Sequence, residues 1–400
     1  MTMNRNERIG AAAARMRGYV VHKQTFRTGS VKRVPTRSYT DPDQWKAEME
    51  LVFRRLPLML AFTAELPRPG DYKAMEVIGL PVLISRDKAG IVRAFLNVCP
   101  HRGAPVAGEG HGNCPRFTCK YHGWTFGQDG RLIGVAAASS FGTVDKAELG
   151  LRELPAAERA GMIFVSLTPG APCDIDRFTR GYLEDFAGLG LAEWTWLGSR
   201  EIEGANWKVA IDGYLEGYHF ASLHSQTIYP RTPSNCAHYE SFGPHQRIGF
   251  PQHRIADALD AVPREAWGEQ ENNGFDFARI LFPNVSMFIA PEITQIAQIF
   301  PGPTQDRNRT VLNYLRREPI RDEADREATE AAMNFFRDVT YNEDYLIGLA
   351  VQKGIESGAH DELLFGRNEP GNQYFHEWLD WYLQDDADMP EPVLGRQDEA

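Results

Sequence analysis

The sequence predicts an α+β fold in two parts, a small antiparallel-β domain followed by a larger domain with an antiparallel sheet and a long C-terminal helix. Three observations predict it. Short β-type runs crowd between Tyr72 and Leu167, further strand-like runs lie between Ile280 and Leu315, and one long helical stretch, Asp322 to Lys353, comes after them. Strands gathered ahead of a long helix point to an antiparallel sheet rather than to alternating βαβ units.

The elements follow in order. Residues 1–45 read as a basic N-terminal arm or helix, because the first forty hold nine basic side chains and one acidic, Glu7. A helix opens at Asp41 or Asp43 as N-cap and runs to Arg55. The small domain, residues 46–170, contains the runs Ala74 to Ile78, Pro81 to Ser85, Val92 to Val98, Thr125 to Phe126 and Met162 to Leu167. Asp87-Lys88-Ala89-Gly90 and Gln128-Asp129-Gly130 between them are turn chemistry. Pro169-Gly170-Ala171-Pro172 marks the boundary to residues 171–400. There Asp174 to Phe186 and Asn206 to His219 read as helices, and Ile280 to Ile289, Gln295 to Phe300 and Thr310 to Leu315 as strands. The acidic end, Gln384 to Ala400, reads as frayed.

Composition narrows the function. A chain of 400 residues, 42% hydrophobic and 24% charged, is neither disordered nor a disulfide-stapled scaffold. The first forty residues carry +8 of a net charge of −11, which leaves the remainder at −19. Such a body repels phosphate backbones, so no nucleic-acid partner is expected. The longest apolar runs, such as Leu346 to Val351, are far shorter than the roughly 20 residues of a membrane span, and no membrane association is expected. The start lacks the apolar core of a secretory signal and only distantly resembles a transit peptide. Five cysteines, an odd number, argue for a reducing, cytoplasmic setting, and three of them (Cys99, Cys114, Cys119) fall within about twenty residues.

Cys99-Pro100-His101 and Cys119-Lys120-Tyr121-His122 each put one thiol and one imidazole on a loop, the makings of a four-ligand metal site. Structural zinc accepts two Cys and two His, but zinc fingers usually draw both cysteines from one hairpin and both histidines from a helix. Loops that each mix the two ligand types suit a [2Fe-2S] Rieske centre, with two thiolates on one iron and two imidazoles on the other. Cys114 and His111, between the loops, read as bystanders.

A second constellation lies at Asn206 to His224. Trp207, Ile211, Tyr214 and Tyr218 recur at helical spacing as a buried face, while Lys208, Asp212, Glu216 and His219 form a separate stripe. Read plainly, that stripe is a solvated face, which leaves His219 and His224 unexplained. Five residues apart, they reach one ion only if the helix ends or widens between them, near Ala221-Ser222. Two imidazoles and a carboxylate with open positions make the facial triad of mononuclear Fe(II) oxygenases.

With Asn97-Val98 leading in, Cys99-Pro100-His101-Arg102-Gly103-Ala104 and Cys119-Lys120-Tyr121-His122-Gly123-Trp124 resemble the signature of the Rieske non-heme iron oxygenases, the ring-hydroxylating oxygenase alpha-subunit family. Glu216, His219 and His224 match that family's carboxylate-x-x-His-x-x-x-x-His pattern, with Glu where most members have Asp, as in a smaller branch that includes carnitine-type monooxygenases. The resemblance, over about Leu56 to Phe375, implies a Rieske domain followed by a helix-grip catalytic domain. It implies cluster ligands Cys99, His101, Cys119 and His122, iron ligands His219 and His224, and Glu216 as a non-ligating bridge to a cluster histidine of a neighbouring subunit. Glu343-Asp344-Tyr345 resembles the family's late carboxylate motif and implies Asp344 as third ligand, with Glu343 as the alternate.

The implied activity is that of a terminal oxygenase, a mono- or dioxygenase using O₂ to hydroxylate or dealkylate an aromatic or related small organic substrate. NAD(P)H electrons would arrive through a separate reductase, with or without a ferredoxin, and the implied assembly is a head-to-tail homotrimer that leaves room for a beta subunit. The substrate pocket is expected to draw on Phe275, Phe277, Ile280, Phe282, Val285, Met287 and Phe288. Tyr214 and Tyr218 with Glu216 keep a quaternary-ammonium monooxygenase open as an alternative. An alternative of another class is an electron-transfer protein whose second metal site is empty.

Overall fold

The computed structural model describes residues 4–386 and 388–395. The chain has the expected α+β character and divides into two compact units. One comprises Phe53–Phe178 with Leu189–Trp194, the other Met1–Val52, Thr179–Gly188 and Thr195–Ala400.

The smaller unit is built of short antiparallel sheets. Its five-stranded sheet runs in the order Glu153–Leu154, Val92–Leu96, Leu80–Arg86, Asp71–Val77, Gly110–Asn113. A three-stranded sheet joins Ala156–Arg159, Met162–Val165 and Leu58–Phe62. The third, Phe117–Thr118, Thr125–Phe126 and Leu132–Gly134, carries the second Cys/His loop. The Asp87 carboxylate closes the first expected turn by accepting from the amides of Ala89 (2.9 Å) and Ile91 (3.0 Å). His111, a bystander by sequence, binds the buried Glu65 carboxylate at 2.7 Å, where Lys73 also pairs.

The larger unit centres on a seven-stranded antiparallel sheet. Its order is Thr195–Gly204, Asn308–Arg316, Thr294–Pro301, Val285–Phe288, Phe275–Leu281, His245–Pro251, His238–Phe242. The single strand expected over Ile280 to Ile289 is thus a hairpin, turning through Phe282-Pro283-Asn284. The short helix Trp207–Tyr214 packs against strands Thr294–Pro301 and Asn308–Arg316 and against helix Leu346–Glu356. A further helix, Pro370–Gln384, was not foreseen. Just beyond it Arg180 grips Glu391, so the described part of the acidic tail is tied down where a frayed end was expected.

The basic arm belongs to this unit. Helix Arg5–His22 starts at a capping box in which Asn4 and Glu7 satisfy each other's backbone amides. Its face of Ile9, Ala12, Ala13 and Met16 packs on Ile255, Leu259, Phe275 and Phe277. Its cations meet acids of the same chain, Arg5 with Asp185 and Glu271, Arg8 with Glu184, and Arg17 with Asp260. The charge asymmetry of the sequence is therefore partly spent inside one chain.

Candidate metal centres

In the smaller unit the two Cys/His loops share one hydrogen-bonding pattern. The Cys99 amide donates to Ala104 O (2.8 Å) and the Gly103 amide to Cys99 O (2.9 Å). The Cys119 amide donates to Trp124 O (2.8 Å) and the Gly123 amide to Cys119 O (3.0 Å). Such tight loops need a residue at positive φ, which Gly103 (80°) and Gly123 (69°) supply. The Asn97 side chain closes the first loop by accepting from the amides of Val106 (3.0 Å) and Ala107 (3.1 Å).

The structure brings the four residues together. Cys99 and Cys119 are buried, and the rings of His101 and His122 stand 4.5 Å apart. The Trp124 ring stacks on His101 at 5.1 Å, and the buried Nδ1 of His101 has no hydrogen-bond partner. Burial pushes the Cys99 thiol up, with neighbouring Cys119 adding to the shift. A buried thiol that resists ionising and an orphaned imidazole nitrogen fit a cation at this point, which supplies the missing charge and takes the free lone pair.

The second site is in the larger unit. The helix expected over Asn206 to His219 covers only Trp207–Tyr214, capped by the Asn206 side chain on the Lys208 amide (2.7 Å). It ends earlier than expected because its next hydrogen-bonding groups are spent elsewhere. The Glu216 carboxylate accepts from the amides of Tyr218 and His219, and Gly217 O accepts from the Asn235 amide at 2.9 Å. Gly213 and Gly217 further weaken the helix. Glu216, His219 and His224 therefore stand on an irregular, turn-rich segment. The plain reading of the stripe as a solvated face does not hold. Lys208 is buried against Glu48, and Asp212 meets Tyr39 Oη (2.8 Å) and His376 Nε2 (3.0 Å).

The long helical region is interrupted by a π-helical turn, Thr340–Tyr345, between helices Glu323–Val339 and Leu346–Glu356. Single π turns recur at functional sites. This one lets adjacent acids reach opposite nitrogens of one ring. Asp344 Oδ1 lies 3.0 Å from His224 Nε2 and 3.7 Å from His219 Nε2, while Glu343 Oε2 lies 2.5 Å from His224 Nδ1 and also accepts from Thr227 Oγ1 (2.7 Å). Glu216 contacts His219 Nδ1. Donor atoms of His219, His224 and Asp344 all lie within 4.8 Å of one another, a set that fits one metal ion. With both Nδ1 atoms on carboxylates, both Nε2 atoms are directed at the shared centre. Burial opposes a charge on His224, but Asp344 and Glu343 outweigh it and raise its pKa.

A cavity of about 310 Å³ opens over these three residues, walled by Phe220, Phe250, Phe288, Phe335 and Phe336. Of the pocket residues expected from sequence, Phe288 alone lines it. Side chains alternate along a strand, and Asp276, Ala278 and Ser286 face the cavity, so Phe275 and Phe277 turn to the N-terminal helix instead. Tyr214 lines the cavity, whereas Tyr218, beyond the helix end, is exposed. Two wall residues that sequence reasoning missed are Arg231 and Asp276.

The chain matches the Rieske [2Fe-2S] domain family over residues 57–152 and the ring hydroxylating alpha subunit (catalytic domain) family over residues 191–385. It is 31% identical over 201 residues to the anthranilate 1,2-dioxygenase large subunit of Acinetobacter baylyi, covering 48% of this chain and 43% of that one. It is 26% identical over 374 residues to the carnitine monooxygenase oxygenase subunit of Escherichia coli K12, covering 88% and 94%. A quaternary ammonium Rieske monooxygenase solved with L-carnitine shares the fold, with a TM-score of 0.75 at 23% identity over 89% of this chain and 97% of that one. The chain belongs to the Rieske non-heme iron oxygenases, in the ring-hydroxylating alpha-subunit family. It is accordingly an oxidoreductase with a [2Fe-2S] cluster and a mononuclear iron as cofactors, using O₂ and reductase-derived electrons. Among the described residues no helix is long and apolar enough to cross a membrane.

Proposed function

We propose that Cys99, Cys119, His101 and His122 hold the cluster, that His219, His224 and Asp344 hold the mononuclear iron, and that the substrate is an aromatic or similarly apolar small molecule. The observation that carries this reading is the phenylalanine-walled cavity whose floor is the His219, His224 and Asp344 donor set. Iron bound there supplies open coordination positions at which O₂ and substrate meet. The chain's own part is to orient both imidazoles through Glu216 and Glu343, keep the cavity dry, and pack a flat substrate against its phenylalanines.

On this reading the protein is a terminal oxygenase component that hydroxylates or dealkylates its substrate. It receives NAD(P)H electrons through a separate reductase, with or without a ferredoxin. It works as a homotrimer, with or without a beta subunit, in which Glu216 links His219 to a cluster histidine of the neighbouring subunit. Five unpaired cysteines suit a reducing cytoplasm.

A quaternary-ammonium substrate is the second reading, favoured by Glu216 and by the likeness to the carnitine enzyme along most of its length. The test is turnover with NADH, a surrogate reductase and ¹⁸O₂ against benzoates, phenols and betaines. An ¹⁸O-labelled aromatic product is expected, and turnover of betaines alone selects the second reading. No labelled product from protein with both metal sites filled contradicts the oxygenase assignment.

A further inference from the structure

Apart from the donor set and Glu216, the charged side chains of the cavity wall are Arg231 and Asp276, which meet at one corner; Thr227, Thr232, Ser286, Gln295 and Thr340 add uncharged polar groups between the phenylalanines. Asp276 is buried on its strand, its side chain 3% exposed. Both its oxygens accept from one nitrogen, Nη2 of Arg231 (2.9 and 3.0 Å), and Oδ2 also accepts from the buried Gln252 (Nε2, 3.0 Å). The backbone of Arg231 is pinned as well, its amide on Ile228 O (3.0 Å) and its carbonyl on the His253 amide (2.9 Å). The guanidinium is thus held by one nitrogen, while its side chain stays 48% exposed and its remaining donors make no hydrogen bond or ion pair among the described residues.

A guanidinium keeps its charge at any working pH and presents donors in a planar fork that matches a carboxylate. Asp276 is spent on holding that fork, so the corner offers a substrate free N–H donors and no free acid. An ammonium head would meet like charge here; a carboxylate would meet two preset donors. The corner is also built rather than incidental, because Gln252 fixes Asp276 and Asp276 fixes Arg231.

We propose that Arg231, positioned by Asp276, anchors a substrate carboxylate, so that the protein acts on small apolar or aromatic acids whose body lies against Phe220, Phe250 and Phe288. This rests on the reading of the cavity as the substrate site. The acid group sets the orientation of the body, and that in turn selects which carbon faces the donor set.

Calorimetric titration of the iron-loaded protein with benzoate, cinnamate and cyclohexanecarboxylate, each against its own carboxamide, tests it without needing turnover. A charge-assisted pair predicts roughly 10- to 100-fold tighter binding of the acids. Arg231→Gln brings each acid to the affinity of its amide, and Arg231→Lys keeps part of the preference. Equal binding of acid and amide to the wild type, or a preference that survives in Arg231→Gln, overturns the anchor. Turnover of neutral aromatics alongside that result leaves the oxygenase reading standing. Absence of turnover with every compound, in protein that still prefers acids, counts against the oxygenase reading and for the anchor.

Discussion

Glu343 Oε2 approaches Nδ1 of His224 at 2.5 Å, on the side of the ring opposite Asp344. A carboxylate on the far nitrogen fixes the tautomer and ring orientation of a metal-binding imidazole and raises its basicity. Glu343→Ala is predicted to weaken iron affinity at the mononuclear site by about 10- to 100-fold and to leave the cluster spectrum unchanged. Competition with a chelator measures it. Wild-type retention of iron would mean that packing and Asp344 suffice to hold the ring.

Glu216 plays the corresponding part for His219. Glu216→Gln should retain the cluster spectrum and mononuclear iron while turnover falls at least on the order of 100-fold. Stopped-flow oxidation of the reduced cluster in the presence of O₂ and substrate separates delivery from binding. Wild-type rates in this variant would remove the bridging role.

The strands of the smaller unit and both Cys/His loops were legible because they rest on neighbours in sequence: alternation, a turn aspartate, and a glycine after each ligand pair. What was not legible depends on contacts far along the chain. The irregular segment after Tyr214 is held in part by Asn235, eighteen residues past Gly217, whose amide takes the Gly217 carbonyl. Glu343 and Asp344 look equivalent until a π-helical turn gives them opposite faces of His224. The aromatic run at Phe275 to Phe288 shows neither its phase on the strand nor that helix Arg5–His22 covers its other face, so the sequence alone points the whole run at the pocket. Arg231 and Asp276 lie forty-five positions apart and share no motif, so only the fold pairs them.

The helix that leads into the iron-binding segment is seated on a buried ion pair. Glu48 holds Lys208 Nζ at 2.5 Å and also accepts from Trp207 Nε1 (2.8 Å), with side chains 0% and 1% exposed for the ion pair. Removing one partner strands a buried charge, so Glu48→Gln should destabilise the larger unit by about 3–5 kcal/mol in denaturant unfolding. Glu48→Leu with Lys208→Met should recover most of that. A loss in the double variant as large as in the single would place the cost in packing and the lost Trp207 hydrogen bond rather than in charge.

His238 makes stability depend on pH. Burial pushes its pKa down to about 3, and Arg15 and Arg247 add to the shift. Between that value and the ordinary one near 6.5 the unfolded chain binds the extra proton, so stability rises with pH. It is complete above about pH 6.5 and lost toward pH 3 at about 1.4 kcal/mol per pH unit from this group. The drop in thermal midpoint between pH 7 and pH 5 should therefore be smaller in His238→Gln than in the wild type. An identical drop would assign the acid sensitivity to other groups.

One chain carrying two separate iron centres has a definite metal content, which iron analysis of anaerobically purified protein reads. About three irons per chain are predicted in the wild type, about two in Asp344→Ala, and about one in Cys99→Ser with Cys119→Ser. About two in the wild type, unchanged by Asp344→Ala, would contradict the account and leave an electron relay in place of an oxygenase.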